Sequence, residues 1–118
     1  MSKGRSAAIG RMRHMVEAVD AIIEYTGRGR AAYDRDRALR DAIVYQVIVL
    51  GEAAKAVVDA DPALQTYLTD IEWTLIARMR DRLTHHYWTT DREVVWSTAT
   101  LAVPELRTAL ISALLRLE

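Results

Sequence analysis

Cysteine is absent from all 118 residues, which excludes disulfides, thiolate zinc sites and cysteine nucleophiles and fits a reducing compartment. An excess of either charge is lacking too. Lysine plus arginine equals aspartate plus glutamate at 16 each, so nothing in the overall balance advertises nucleic acid, and any site for one has to be a local patch. No stretch approaches the ~20 apolar residues of a membrane span, and the amino terminus has no signal-peptide core. The expectation is a cytoplasmic protein with no membrane partner. Strand-like alternation, internal repeats and low-complexity segments are missing as well.

What is present is helical periodicity. With 51% hydrophobic content, the chain suffices for one domain, 1–118, with its own core, and is too short for two. Ile9, Met12, Val16, Val19, Ile23 and Thr26 recur at three- and four-residue steps, which predicts an amphipathic helix stopped at Gly27-Arg28-Gly29-Arg30. A second helix is expected from about Asp34 to Asp59. Its segment Ala42 to Leu50 is apolar on almost every side, so it needs more than one packing partner: a central place in the bundle, or contact with another subunit. Asp61-Pro62 predicts a cap and a short helix through about Leu68. Thr69-x2-Glu72 and Thr90-x2-Glu93 have capping-box spacing before two further helices, and Pro104 is expected to kink the last. Gly51 in the second helix carries a cost of about 1 kcal/mol against alanine that close helix approach would explain. The fold class that follows is all-α, an antiparallel bundle of four long helices plus one short helix.

The chemistry gathers in Arg80-Asp81-Arg82-Leu83-Thr84-His85-His86-Tyr87. Arginine supplies a permanent planar cation suited to phosphate, and histidine moves protons near neutral pH. Together they suggest work on a phosphodiester. At ~100° per residue, His85 lies about 140° around a straight helix from Arg80. For both to reach one phosphate, the helix must end or distort near His85, or two copies must share a site across a twofold axis. Bland alternatives exist for each: an ion pair for Arg80 with Asp81 or a neighbouring carboxylate, and a helix-end position for His85. His86 points elsewhere, and His14 with Glu17 lacks a third ligand, so no metal site is expected. Trp73 and Trp96 fit apolar stripes, whereas Trp88, beside the motif, is a possible RNA contact. Arg28 and Arg30 head the best basic patch for an RNA backbone, although interleaved aspartates make an ordinary mixed surface an equal reading.

An arginine, four residues, a histidine, one residue and a tyrosine is a spacing that resembles the motif of HEPN ribonucleases, in the form found in HepT-like toxins. Tyr33-Asp34-Arg35-Asp36, Leu39 to Ile43, Leu50 to Lys55, Ile71-Glu72-Trp73, Val95-Trp96 and Val103 to Leu106 resemble the same family, so the likeness spans nearly the whole chain. It implies a HEPN-type bundle and a metal-independent endoribonuclease without a cofactor, the toxin of a toxin-antitoxin pair. His85 would be the general acid or base, Arg80 would bind the scissile phosphate, and Asp81 would orient Arg80. The implied partners are an RNA substrate (transfer RNA or messenger RNA), a second copy in a homodimer, and a nucleotidyltransferase antitoxin of the MNT type that adenylylates Tyr87. Asp81 stands where asparagine is frequent in the family. A non-catalytic helical module that binds the nucleotidyltransferase is the rival reading.

Overall fold

Ser2, in extended conformation, accepts a hydrogen bond from the Arg5 backbone N–H at 3.0 Å, satisfying one of the donors a helix start leaves unpaired. Residues 2–118 are described by a computed structural model, and helix α1 runs Lys3–Thr26. Its buried face is turned by one residue from the expected stripe. Met15 and Ile22 are fully enclosed beside Met12 and Val19, whereas Val16 and Ile23 are only partly buried. The helix stops at Gly27, and Gly29 takes φ 95°, a conformation open to glycine and strained for other residues.

The expected second helix is two helices. Helix α2, Arg30–Arg35, is a short turn that buries Tyr33, and Asp36 then breaks the chain and caps α3, Arg37–Ala60. The Asp36 carboxylate accepts from the Ala38 and Leu39 N–H groups at 3.0 and 3.3 Å, so a residue read as helix interior is a start signal. Helix α3 packs along α1 on one side and along α5, Trp73–His85, on the other. The two flanking helices cover part of its all-round apolar segment, burying Ile43, Val47 and Leu50, while Tyr45 stays 63% exposed.

Between them lies α4, Ala63–Tyr67, the short helix expected after Asp61-Pro62. Asp61 does not cap it with its side chain; its carboxylate pairs with Arg5 at 2.5 Å, fastening α1 to the end of α3. Thr69 and Glu72 form no capping box either, because the chain before α5 is held from the core side. Ile71 is buried, and the Trp73 indole N–H donates to the Leu68 carbonyl at 3.2 Å.

The last long helix is α6, Arg92–Ser97, continuing through a π-helical segment, Thr98–Ala102, into α7, Val103–Leu117. Asp91 rather than Thr90 caps it, accepting from Glu93 N–H at 2.8 Å. Pro104 acts as a distortion upstream of itself. The ring excludes a donor and crowds the preceding turn, and the Val103 N–H reaches back to the Thr98 carbonyl instead, one residue further than in an α-helix. Arg92–Leu117 is long and apolar enough to cross a membrane by length and composition, which the sequence reading did not expect. In the bundle, Val95, Ala99, Val103, Leu110 and Ala113 are buried along it, and α7 and the π segment pack on α1. Helix α2 is held against α6 by the Tyr33 and Trp96 rings, tilted at 44° with centroids 4.8 Å apart, and by the Tyr33 hydroxyl, which donates to the Arg92 carbonyl at 2.9 Å.

Candidate active site

Arg80 is fixed before any substrate arrives. Its Nε donates to Glu52 Oε1 at 2.7 Å, Nη2 reaches the same oxygen, and Nη1 donates to Asp81 Oδ1 at 2.8 Å. The bond to Asp81 and then the bond to Glu52 hold the guanidinium as a cation even more firmly than usual. Gly51 is why α3 and α5 approach so closely here. A Cβ at Gly51 would lie 2.6 Å from Arg80 Cγ and 3.5 Å from Arg80 Cα, so the empty side of this glycine is filled by the stem of the motif arginine. Asp81 therefore does touch Arg80, and Glu52 of α3 is its second anchor.

Helix α5 stays helical through His85 and ends there, with His86 at φ −132°, ψ 35°. His85 is exposed on the last turn, where a positive charge suits the helix dipole. Because the helix is unbroken between the two, Arg80 and His85 keep their separation of about 140° around its axis.

Beyond α5 the chain makes a 3-10 turn over Tyr87–Thr89, stitched to the His86 carbonyl by the Thr89 N–H at 3.1 Å and the Thr90 hydroxyl at 2.9 Å. This turn rotates Tyr87 out of the core-facing position that continued helix would give it. Tyr87 is 41% exposed and donates its hydroxyl to Asp41 Oδ1 at 3.0 Å. Burial of the ring, and then the bond to Asp41, push the phenol above the ordinary tyrosine range. Trp88 stands 91% exposed, with its ring edge-on to Tyr87 at 5.8 Å.

The remaining expected contacts lie apart from the motif or are already engaged. Arg28 lies over the Tyr25 ring at 5.7 Å. Arg30 is bracketed by Glu93 and Asp34, with contacts of 2.9 and 2.8 Å, and sits within 5.8 Å of both the Tyr33 and Trp96 rings. Its charge is matched by those carboxylates, so it braces α2 against α6. Among the described residues no group of three or more His, Asp or Glu is placed to hold a metal ion.

Asp41 was not singled out by the sequence, yet a signal for it existed. Asp41 and Glu52 are eleven residues apart, within about 20° of each other around a helix, so one face of α3 carries both carboxylates that grip the motif. Glu52 takes the arginine and Asp41 takes the tyrosine.

Residues 15–113 match the family model described as ribonuclease HepT-like. A protein of Thermococcus cleftensis named "Probable ribonuclease HepT" is 31% identical over 98 residues, 81% of this chain and 86% of the relative. A Caldanaerobacter subterraneus subsp. tengcongensis protein named as a "Putative RNase" is 27% identical over 96 residues, 80% of this chain and 83% of its own. Another so named, from Methanocaldococcus jannaschii, is 30% identical over 94 residues, 79% of this chain and 75% of its own. No solved structure matches the chain at comparable significance.

Proposed function

Since the chain belongs to the ribonuclease HepT-like family, we propose that it is a metal-independent endoribonuclease and the toxin of a toxin-antitoxin pair. The observation that carries this reading is the preset Arg80, clamped by Glu52 and Asp81 over Gly51, with an exposed His85 on the same helix. An arginine so fixed offers its charge to a phosphate without first ordering its own long side chain. In cleavage, the ribose 2′-oxygen attacks the adjacent phosphorus, the bond to the 5′-oxygen breaks, and a 2′,3′-cyclic phosphate and a 5′-hydroxyl result. One group takes the 2′-proton and another returns a proton to the leaving oxygen.

A single His85 supplies half of that pair. Two copies related by a twofold axis supply both halves and bring Arg80 of one toward His85 of the other. An open apolar groove of about 440 Å³ beside the motif supports association: Val47 and Leu50 of α3, Leu75 and Met79 of α5, and Val103 and Leu106 of α7 line it. Leu75 is 54% exposed. Trp88 offers a stacking face to an RNA base, and Arg28 offers a charge to the backbone further off.

Neutralisation, in this reading, comes from an MNT-type nucleotidyltransferase that adenylylates Tyr87. An adenylyl group there adds a bulky anion next to the motif and excludes RNA by charge and volume. The rival reading, a non-catalytic module that docks the nucleotidyltransferase, draws on the same clamp, since two carboxylates already match the Arg80 charge. Incubation of the purified chain with defined transfer RNAs and a messenger RNA separates the two. Cyclic-phosphate products that vanish with His85→Ala support the enzyme; intact RNA throughout supports the module.

A further inference from the structure

A cleft of about 360 Å³ opens between the first turns of α3, the end of α5 and the start of α6, lined among others by Arg37, Arg40, Asp41, Tyr87, Trp88 and Arg92. Three arginines and one carboxylate line it. Asp41 Oδ1 accepts the Tyr87 hydroxyl at 3.0 Å, while Asp41 Oδ2 lies 3.7 Å from Arg37 Nε. Arg40 spends Nη1 on the Tyr33 and Asp34 carbonyls at 2.9 and 2.8 Å, which turns a well-anchored cation toward the same space. The half-exposed phenol thus has a fixed proton acceptor on one side and positive charge around it.

We propose that Asp41 is the proton acceptor for nucleotidyl transfer to Tyr87, so that the chain being modified supplies the base for its own modification. The inference rests on the reading of Tyr87 as the acceptor residue. In the step, Tyr87 Oη attacks the α-phosphorus of ATP bound to the partner transferase. The Oη–P bond forms, the bond from that phosphorus to the bridging oxygen breaks, and pyrophosphate leaves. The Oη proton moves to Asp41 Oδ1 and from there to water. Prior ionisation is not an available route at neutral pH, because burial and the Asp41 bond favour the neutral phenol, so the proton has to leave as the new bond forms. Arg37 Nε, 3.7 Å from Asp41 Oδ2, flanks the carboxylate on the side away from the phenol. After transfer, Arg37 and Arg40 offset the repulsion between Asp41 and the new phosphodiester.

The test is the initial rate of AMP addition, read by intact mass and peptide mapping, for the full-length chain mixed with the nucleotidyltransferase of its pair and magnesium ATP. Asp41→Asn keeps an oxygen that can accept the phenol's hydrogen bond but binds a proton far more weakly. The expected result is a fall in kcat of ~10²- to 10⁴-fold with KM for the chain little changed, partial recovery in Asp41→Glu, and the same slow rate in Asp41→Ala. Circular dichroism and melting of each variant confirm that it is folded. Modification of Asp41→Asn at the wild-type kcat overturns the proposal, and if Asp41→Ala alone is slow, Asp41 is a positioning clamp and no more. A wild-type chain that gains no AMP on Tyr87 fails at the earlier step, and the acceptor reading falls together with this inference.

Discussion

Replacing Gly51 by alanine sets two opposite effects against each other. In the interior of an exposed helix the change relieves glycine's penalty of about 1 kcal/mol. At this position the new Cβ would lie 2.6 Å from Arg80 Cγ and would also overlap the Arg80 Cβ. The Cγ atom can swing aside by rotating χ1. The Cβ is fixed to the backbone of α5, so α5 itself has to retreat from α3. Overpacking of this kind costs ~1–3 kcal/mol, and with the contact falling on an atom that cannot rotate away, a net loss of about 1–2 kcal/mol is expected after the helix gain. In a domain of this length that lowers Tm by roughly 3–10 °C. Gly10, inside α1 with nothing within 4 Å of its own added Cβ, is the matched control, and Gly10→Ala should gain up to about 1 kcal/mol. The clash survives in an Arg80→Ala background, where the Cβ remains, and disappears in Arg80→Gly. Differential scanning calorimetry of the single and double variants measures both terms. A Gly51→Ala chain that melts as high as Gly10→Ala would refute the packing argument. The same retreat displaces Arg80, and an error of about 1 Å in a positioned group costs ~10²-fold in rate, so cleavage should fall even well below Tm.

Arg80→Ala and His85→Ala should each lower RNA cleavage by ~10²- to 10⁴-fold with unchanged helical content, while His86→Ala stays within a fewfold; wild-type cleavage by His85→Ala removes the catalytic assignment. Trp88→Ala, at a 91% exposed position, should leave stability within about 0.5 kcal/mol yet weaken RNA binding by ~1–3 kcal/mol if a base stacks there, as titration with labelled RNA would record. Alkaline pH should destabilise the fold. Burial raises the Tyr33 phenol, and burial followed by the Asp41 bond raises Tyr87, so the folded chain retains protons that the unfolded chain releases near pH 10. This stability is complete below about pH 10 and is lost as pH rises through the folded values. Urea midpoints measured from about pH 9 to pH 11 should fall, less steeply in Tyr87→Phe; a flat profile contradicts the shift. Light scattering at micromolar concentration should give twice the monomer mass, and a stable monomer removes the shared-site mechanism.

Short-range information carried the helices and the motif. Periodicity in three- and four-residue steps, the Gly27–Gly29 stop and the apolar surround of Ala42 to Leu50 are properties of neighbours along the chain, and each has its counterpart in α1 and α3. The octet from Arg80 to Tyr87 was visible because its chemistry lies in residue types at a fixed spacing. Caps were less legible, because several polar residues compete for each helix start. Asp36 and Asp91 won because their carboxylates reach the first N–H groups, while Asp61 was drawn to Arg5 and the Thr90 hydroxyl to the His86 carbonyl. The grip on the motif belonged to the tertiary structure alone. Glu52 meets Arg80 from 28 residues away and Asp41 meets Tyr87 from 46. Sequence spacing places those two carboxylates on one helix face, but only the packing of α5 against α3, allowed by the bare side of Gly51, decides which side chains that face will hold.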